Sequence, residues 1–140
     1  MKRFVLAAAL SLLAVFSGAV QADEIKTVYH LNAGLEQASA GLRNIRNHLD
    51  ADPNAKIVVV THSKGIDFLL DGAKDKNGNP FDISVQALKD RKVEFRVCRN
   101  TLKSRKIDEK TVIPEAKIVP SGVAEIARLQ AKEGFVYLRP

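Results

Sequence analysis

A continuous apolar run over Lys56–Thr61 constrains the fold of this chain more than any other feature. A strand with one side in solvent alternates apolar and polar residues, whereas this run presents apolar side chains to both sides. Burial on both faces is typical of a strand in a parallel sheet that is covered by helices. The run therefore predicts an α/β fold built on a central sheet.

The rest of the chain alternates strand and helix patterns, in the order β, α, β, α, α, β, α, β, α, β. The clearest helix places Leu35, Ala38, Leu42, Ile45 and Leu49 on one face, because they recur at spacings of three and four residues. Strands that alternate with helices pair in parallel through right-handed crossovers. We therefore expect one domain, a three-layer sandwich around a mostly parallel five-stranded sheet of the flavodoxin or Rossmann type. The predicted strands are 27–31, 56–61, 93–98, 116–120 and 135–138, and the later predicted helices cover 84–92, 102–110 and the segment from Ser121 to a cap at Gly134.

The first 22 residues have the three-part composition of a secretory signal peptide. Lys2 and Arg3 are followed by an apolar run over residues 4–16, and Val20-Gln21-Ala22 supplies small residues before a cleavage point. The run is too short to span a bilayer. We predict that residues 1–22 are removed and that residues 23–140 form a periplasmic or secreted domain with no membrane contact after cleavage. The alternative is an uncleaved N-terminal anchor.

The charge of the chain narrows the classes of partner. The formal net charge is +6, and it falls to +4 when the signal peptide takes Lys2 and Arg3 with it. Such an excess fits a small anion or an acidic protein surface. Nucleic acid is not expected, since tryptophan is absent and few aromatic residues could stack on bases. No Cys/His spacing resembles a metal site and no glycine-rich phosphate loop occurs, so we expect neither a metal nor a cofactor.

In an open α/β sheet, ligands bind beyond the carboxyl ends of the strands. This rule selects candidate binding residues at the end of each predicted strand. We expect them to share one edge of the sheet with Cys98, the candidate catalytic residue. The candidate binding residues are Asn32, His62, Ser63, Arg99, Asn100, Lys103, Ser121 and Gly122.

Cys98 is the only cysteine in the chain, so it has no partner for an intrachain disulfide. It is a buried inert thiol, a half of an intermolecular disulfide, or a reactive thiol. The charges of Arg99 and Lys103, and the N–H groups of a helix starting near Asn100, are features that lower the pKa of a thiol. The competing interpretation is an ordinary packed side chain. His30 and His48 are predicted to be structural or solvated.

Five segments of the sequence resemble the DsrE/DsrF-like family. They are residues 56–62, 65–70, 93–102, 118–126 and 135–138, and the most specific is the strand that leads into Cys98-Arg99-Asn100-Thr101-Leu102. The resemblance implies that residues 23–140 are a small parallel α/β domain that forms homo-oligomers, commonly trimers or hexamers. Some members of the family carry sulfur as a cysteine persulfide, and the cysteine that carries it corresponds to Cys98.

The residues and the resemblance together predict an exported sulfur carrier or sulfurtransferase-like protein. Cys98 would take sulfur from a sulfane donor, hold it as a persulfide and pass it to an acceptor thiol, and a sulfur-donor or acceptor protein is the expected partner. Arg99 and Lys103 would attract an anionic sulfur donor. The alternative is a non-catalytic oligomeric module that binds a small anion or a partner protein, with Cys98 merely packed. The pKa and the exposure of the thiol separate the two hypotheses.

Overall fold

The computed structural model describes residues 23–140, which fold around a sheet of five strands, all parallel. The sheet order is β4-β3-β2-β1-β5. This confirms the predicted single α/β domain with a central five-stranded sheet. The predicted signal peptide, residues 1–22, lies outside the described residues. The strands are β1 (Lys26–Leu31), β2 (Lys56–Thr61), β3 (Glu94–Cys98), β4 (Ala116–Val119) and β5 (Val136–Leu138).

Four α-helices and two short 3₁₀ helices connect the strands. The α-helices are α1 (Leu35–Ala51), α2 (Phe81–Asp90), α3 (Arg99–Ser104) and α4 (Gly122–Glu133), and the 3₁₀ helices are Ser63–Leu69 and Glu109–Thr111. None of the helices within residues 23–140 is long and apolar enough to cross a membrane.

The two faces of the sheet are covered unequally. The steps from β1 to β4 all move in one direction along the sheet, so right-handed crossovers place their helices on one face. The return from β4 to β5 runs the other way and places α4 alone on the opposite face. We call the first cluster the broad core and the second the small core. The broad core is Tyr29, Leu31, Ala38, Leu42, Ile45, Leu49, Ile57, Val59, Ile66, Phe68, Leu69, Phe81, Val85, Leu88, Val93, Phe95, Val97, Leu102 and Ile113, and the small core is Val28, Val58, Val60, Ile126, Leu129 and Phe135.

Strand β2 contributes to both cores, as its continuous apolar sequence predicts. Ile57 and Val59 join the broad core, while Val58 and Val60 join the small core, and all four are at most 1 % exposed. Successive residues of a strand point to opposite faces, so only a strand in the middle of a covered sheet can bury such a run.

The first 3₁₀ helix packs against the end of β1 at a glycine. A Cβ atom on Gly65 would lie 2.0 Å from the carbonyl oxygen of Leu31, a distance that no side chain could occupy. Glycine therefore lets the two backbones touch and holds the segment after His62 close to the carboxyl ends of the strands.

Two predicted helices have different bounds in the structure. The helix predicted at 84–92 begins at Phe81, directly after Pro80, whose φ of −63° suits the start of a helix. The helix predicted at 102–110 is instead α3, which starts at Arg99 and ends after Ser104. Lys106 then adopts a φ of 53°, a left-handed conformation that a helix cannot include. The predicted cap at Gly134 is confirmed by its φ of 73°.

Candidate functional site

The carboxyl ends of the strands meet at the start of α4, around Gly122. A Cβ atom at this position would lie 3.2 Å from Cβ of His62 and 3.3 Å from Cβ of Cys98. The backbone of α4 therefore rests directly on both residues. Ser121 caps the helix, because its hydroxyl accepts a hydrogen bond from the N–H of Ala124 at 3.4 Å. The structure thus brings Cys98, His62, Ser121 and Gly122 to the one edge where they were expected.

Cys98 ends β3 and immediately precedes α3, with 5 % of its surface exposed. Burial by itself raises the pKa of the thiol. Hydrogen bonds from the Thr101 hydroxyl and from the backbone N–H groups of Gly122, Thr101 and Asn100 lower it by more, so the pKa of Cys98 lies below its usual value. Donors aimed at the sulfur stabilise the thiolate, which is the nucleophilic form of cysteine. The site can therefore support nucleophilic sulfur chemistry.

Thr101 is a member of this site that sequence reasoning missed. Its hydroxyl accepts a hydrogen bond from the backbone N–H of Ser63 at 3.0 Å, and the residue is 8 % exposed. Ser63 has a φ of 52°, unusual for a residue other than glycine. Thr101 therefore connects the turn after β2 to the thiol on β3. The available signal was its position three residues after Cys98, because side chains at that spacing share one face of a helix.

Arg99 and Lys103 do not surround the thiol as expected. The Nε of Arg99 donates to Oε1 of Glu109 at 2.7 Å, so its guanidinium is held in an ion pair at the surface. Lys103 is exposed on α3, and Asn100 is exposed while donating its N–H to the carbonyl of Pro120 at 3.3 Å. Hydrogen-bond donors lower the pKa of Cys98, and they include the N–H groups at the start of α3 that the sequence predicted. The charges of Arg99 and Lys103, which the sequence also suggested, are not among the causes.

A second polar cluster, which we call the histidine row, lies along the same edge and consists of Tyr137, His30, His62 and Ser63. The Nε2 atoms of His30 and His62 are 2.7 Å apart. Nδ1 of His30 lies 2.6 Å from the Tyr137 hydroxyl, and Nδ1 of His62 lies 3.0 Å from Oγ of Ser63. His30 was expected to be structural or solvated. The pairing of β1 with β2 and of β1 with β5 creates the row, and strand order is what the sequence does not reveal.

The histidine row is held in its neutral form. Burial, His62 and Arg139 lower the pKa of His30 to about 4. Burial and Arg139 also lower the pKa of His62. Asn32, another predicted site residue, accepts a hydrogen bond from Arg139 at 3.1 Å and so belongs to this end of the edge. The predicted binding residues thus divide between a thiol end and a histidine end, with His62 between them.

Across residues 23–140, no three His, Cys, Asp or Glu side chains come together in a way that could hold a metal ion. The edge brings a stabilised thiolate close to a pair of imidazoles.

Comparison with known proteins agrees with the fold and identifies the family. No curated protein matches the chain significantly. The solved structure of MTH1491, a protein of unknown function from Methanobacterium thermoautotrophicum, has a TM-score of 0.72 and 27% sequence identity, covering 84% of this chain and 100% of its own. The ychN protein from E. coli has a TM-score of 0.70 and 18% identity, covering 83% of this chain and 99% of its own, and so shows the fold alone. The family model for DsrE/DsrF-like proteins matches residues 11–139, nearly the whole chain, and the chain therefore belongs to the DsrE/DsrF-like family.

Proposed function

We propose that this protein is a sulfur carrier in which Cys98 accepts a sulfur atom, holds it as a persulfide and passes it to a partner thiol. Membership of the DsrE/DsrF-like family, often linked to sulfur relay, supports the class of function. The observation that carries the proposal is the lowered pKa of the Cys98 thiol, which four hydrogen-bond donors produce in spite of burial.

The chemistry needs no oxidant and no cofactor. The Cys98 thiolate attacks the outer sulfur of a persulfide or polysulfide donor, a new S–S bond forms, and the old S–S bond breaks as the donor thiolate leaves with the electron pair. An acceptor thiolate then attacks the outer sulfur of the Cys98 persulfide, and Cys98 leaves as a thiolate. The donors around Cys98 stabilise the negative charge at the start and the end of this cycle.

Access to the thiol selects small donors. Cys98 is 5 % exposed and Gly122 rests against it, so a bulky reagent cannot reach the sulfur without movement of α4. A sulfane sulfur at the tip of a flexible donor chain is a small enough group. Because Gly122 has no side chain, no Cβ atom at this position narrows the access of a donor to the sulfur of Cys98.

The proposal includes export and assembly. Residues 1–22 would be removed as a signal peptide, which leaves a periplasmic or secreted protein that begins at Asp23. The edge strand β5 exposes apolar surface on Val136, Tyr137 and Leu138, of which 53%, 41% and 43% are accessible. A second copy of the chain that covers this strand would remove such surface from water, which supports a homo-oligomer. The expectation of a trimer or a hexamer comes from the family resemblance alone.

Intact mass measurement tests the sulfur carrier. Incubation of residues 23–140 with a polysulfide should add about 32 Da, the mass of one sulfur atom, and a thiol reductant should remove it. Cys98→Ser should gain no mass, because a hydroxyl cannot form a persulfide, and its circular dichroism spectrum should match the wild type. A wild-type chain that remains unmodified by polysulfide would overturn the proposal.

Thr101 offers a sharper test, because its hydroxyl donates to the thiol. Thr101→Val should raise the pKa of Cys98 and slow its alkylation at neutral pH several-fold, because the thiolate loses one hydrogen-bond donor. The pH profile of iodoacetamide alkylation measures this shift. Thr101→Ser, which keeps the hydroxyl, is the matched control and should alkylate with the wild-type profile. Equal profiles for the valine and serine variants would remove Thr101 from the site.

A second candidate function is a non-catalytic binding module, and the burial of Cys98 is the observation that favours it. In such a module the thiol is packed, and the edge of the sheet binds a small anion or a partner protein. Resistance of native Cys98 both to polysulfide and to iodoacetamide, with full reaction after denaturation, would support the module and exclude the carrier.

A further inference from the structure

We propose that the histidine row is a binding site for one Cu(I) ion, held between Nε2 of His30 and Nε2 of His62. This site is separate from Cys98 and does not depend on the sulfur-carrier proposal. It also departs from the expectation of no metal, which rested on the spacing of residues along the chain. His30 and His62 are far apart in sequence, and the pairing of β1 with β2 brings them together.

The two imidazoles meet tip to tip. Their Nε2 atoms are 2.7 Å apart, while their ring centroids are 4.7 Å apart with an angle of 35° between the planes. Stacked rings with so short a contact would have closer centroids, so the nitrogens must point at each other along a nearly straight line. Two nitrogens in line are the arrangement that a two-coordinate Cu(I) ion adopts, whereas Zn²⁺ takes four ligands at tetrahedral angles.

The other nitrogen of each ring already has an oxygen partner. Nδ1 of His30 lies 2.6 Å from the hydroxyl of Tyr137, and Nδ1 of His62 lies 3.0 Å from Oγ of Ser63. A metal-binding histidine usually donates its second N–H to such an oxygen, which fixes the tautomer and orients the ring. Tyr137 and Ser63 can therefore hold both rings with their Nε2 lone pairs free for a metal.

The charge of the site favours a monovalent ion. The guanidinium of Arg139 lies at the same end of the sheet edge, where it donates to Oδ1 of Asn32 at 3.1 Å, and its charge would repel a dication more than Cu(I). No third His, Cys, Asp or Glu completes a metal-binding group here among the described residues, which again excludes ions that need several protein ligands. Imidazole nitrogens are suitable ligands for copper.

Binding requires a small opening of the pair. A metal–imidazole bond is about 2 Å long, so a linear site needs the two Nε2 atoms about 4 Å apart. Each ring must withdraw by less than an ångström from the 2.7 Å contact. Both rings are half-buried at the edge of the sheet, so small side-chain rotations can supply this movement. The proton between the rings moves to the Nδ1 of one imidazole, and copper undergoes no change of oxidation state.

Anaerobic titration of residues 23–140 with Cu(I), in competition with the chromophoric chelator bicinchoninate, tests the site. One Cu(I) per chain should resist transfer to the chelator. His30→Ala and His62→Ala should each weaken binding at least about a hundredfold, and Tyr137→Phe about tenfold, the effect expected when a ligand loses the group that orients it. X-ray absorption should detect two nitrogen neighbours in the linear arrangement.

Two variants serve as matched controls. His48→Ala removes a histidine that also contacts a tyrosine, with Nδ1 of His48 3.0 Å from the Tyr29 hydroxyl, and it should bind Cu(I) as the wild type does. Cys98→Ser should also retain the ion. Loss of copper in Cys98→Ser with retention in His30→Ala would place the ion on the thiol and overturn the proposal. Failure of the wild type to hold Cu(I), or an equal affinity for Zn²⁺, would overturn it as well.

Discussion

The two faces of the sheet differ in what they bury and in what they leave available. The broad core fills one face under α1, α2, α3 and the first 3₁₀ helix, whereas α4 covers the other face alone. Cys98, His30 and His62 all lie on the face of α4, where the helix is too narrow to cover the whole sheet. The comparison indicates that one face contains most of the apolar core, while the thinly covered face contains the residues of the proposed sites.

Charged side chains occupy the part of the α4 face that apolar residues do not fill. Arg96 on β3 forms ion pairs with Glu94 and Glu125, and Arg128 binds Glu125 and Glu133. The side chains of Arg96 and Glu125 are 14% and 13% exposed, so this network is partly shielded from water. Along β3, Glu94 and Arg96 point to the α4 face, and they alternate with Phe95 and Val97, which point to the other face and belong to the broad core.

The largest expected effect is a difference in stability loss between substitutions in the broad core and in the small core. Phe68→Ala should cost about 4 kcal/mol, because Phe68 is 1 % exposed and packs edge to face on Phe81 and Phe95. Ile126→Ala in the small core should cost about 2 kcal/mol, since Ile126 is 7 % exposed beneath a single helix. Urea denaturation of both variants measures the difference. Equal losses of unfolding free energy in the two variants would contradict the view that the broad core stabilises the fold more than the small core does.

The ion pairs around Glu125 should contribute less to the stability of the fold than either core does. Glu125→Gln should cost about 1–2 kcal/mol, because it removes the carboxylate that both Arg96 and Arg128 contact. Hydrogen bonds from Arg128 and Arg96 lower the pKa of Glu125. A lowered carboxyl pKa adds stability above the ordinary value, and this increment disappears as the pH falls through the folded value. The gap between wild type and variant should therefore close below about pH 4, while Glu36→Gln, an exposed control compared at neutral pH, should cost less than about 0.5 kcal/mol.

A single change on the broad face should raise stability. Thr27 is fully buried, and its hydroxyl is the one buried side-chain polar atom in residues 23–140 that lacks a partner. Thr27→Val keeps the shape of the side chain and removes the unsatisfied group, so the free energy of unfolding should rise by about 1 kcal/mol. Thermal denaturation measures the gain, and a lower midpoint would indicate a partner for this hydroxyl.

The smallest effect concerns a residue that the sequence placed in the site. Arg99→Ala should cost less than about 0.5 kcal/mol, because its ion pair with Glu109 is exposed to solvent. It should also leave the alkylation profile of Cys98 unchanged, since hydrogen-bond donors lower the pKa of that thiol. Slower alkylation of Cys98 in this variant would indicate that the charge of Arg99 does help to lower the pKa of the thiol.

The sequence predicts the helices and strands of this fold better than it predicts which of them lie side by side. The apolar run of β2 and the periodic stripe of α1 are local patterns, and both predictions are confirmed. The rule for strand ends also selects residues that do lie together at one edge of the sheet, such as Cys98, His62 and Gly122. Local patterns carry no strand order, so the contact of His30 with His62 could not be predicted. The partner of Arg99 was missed because the chain reverses after α3 and returns Glu109 to it.

The pairing of β1 with β5 joins the two ends of the folded domain. Strand β1 lies inside the sheet, between β2 and the edge strand β5, and β5 is the strand farthest from it along the described chain. A polypeptide that emerges from its amino end cannot complete the sheet until Val136–Leu138 has emerged too. Tyr137 lies within β5 and Arg139 follows it, so both reach the histidine row only when β5 pairs with β1, and a chain that stops before Val136 lacks both of these contributions.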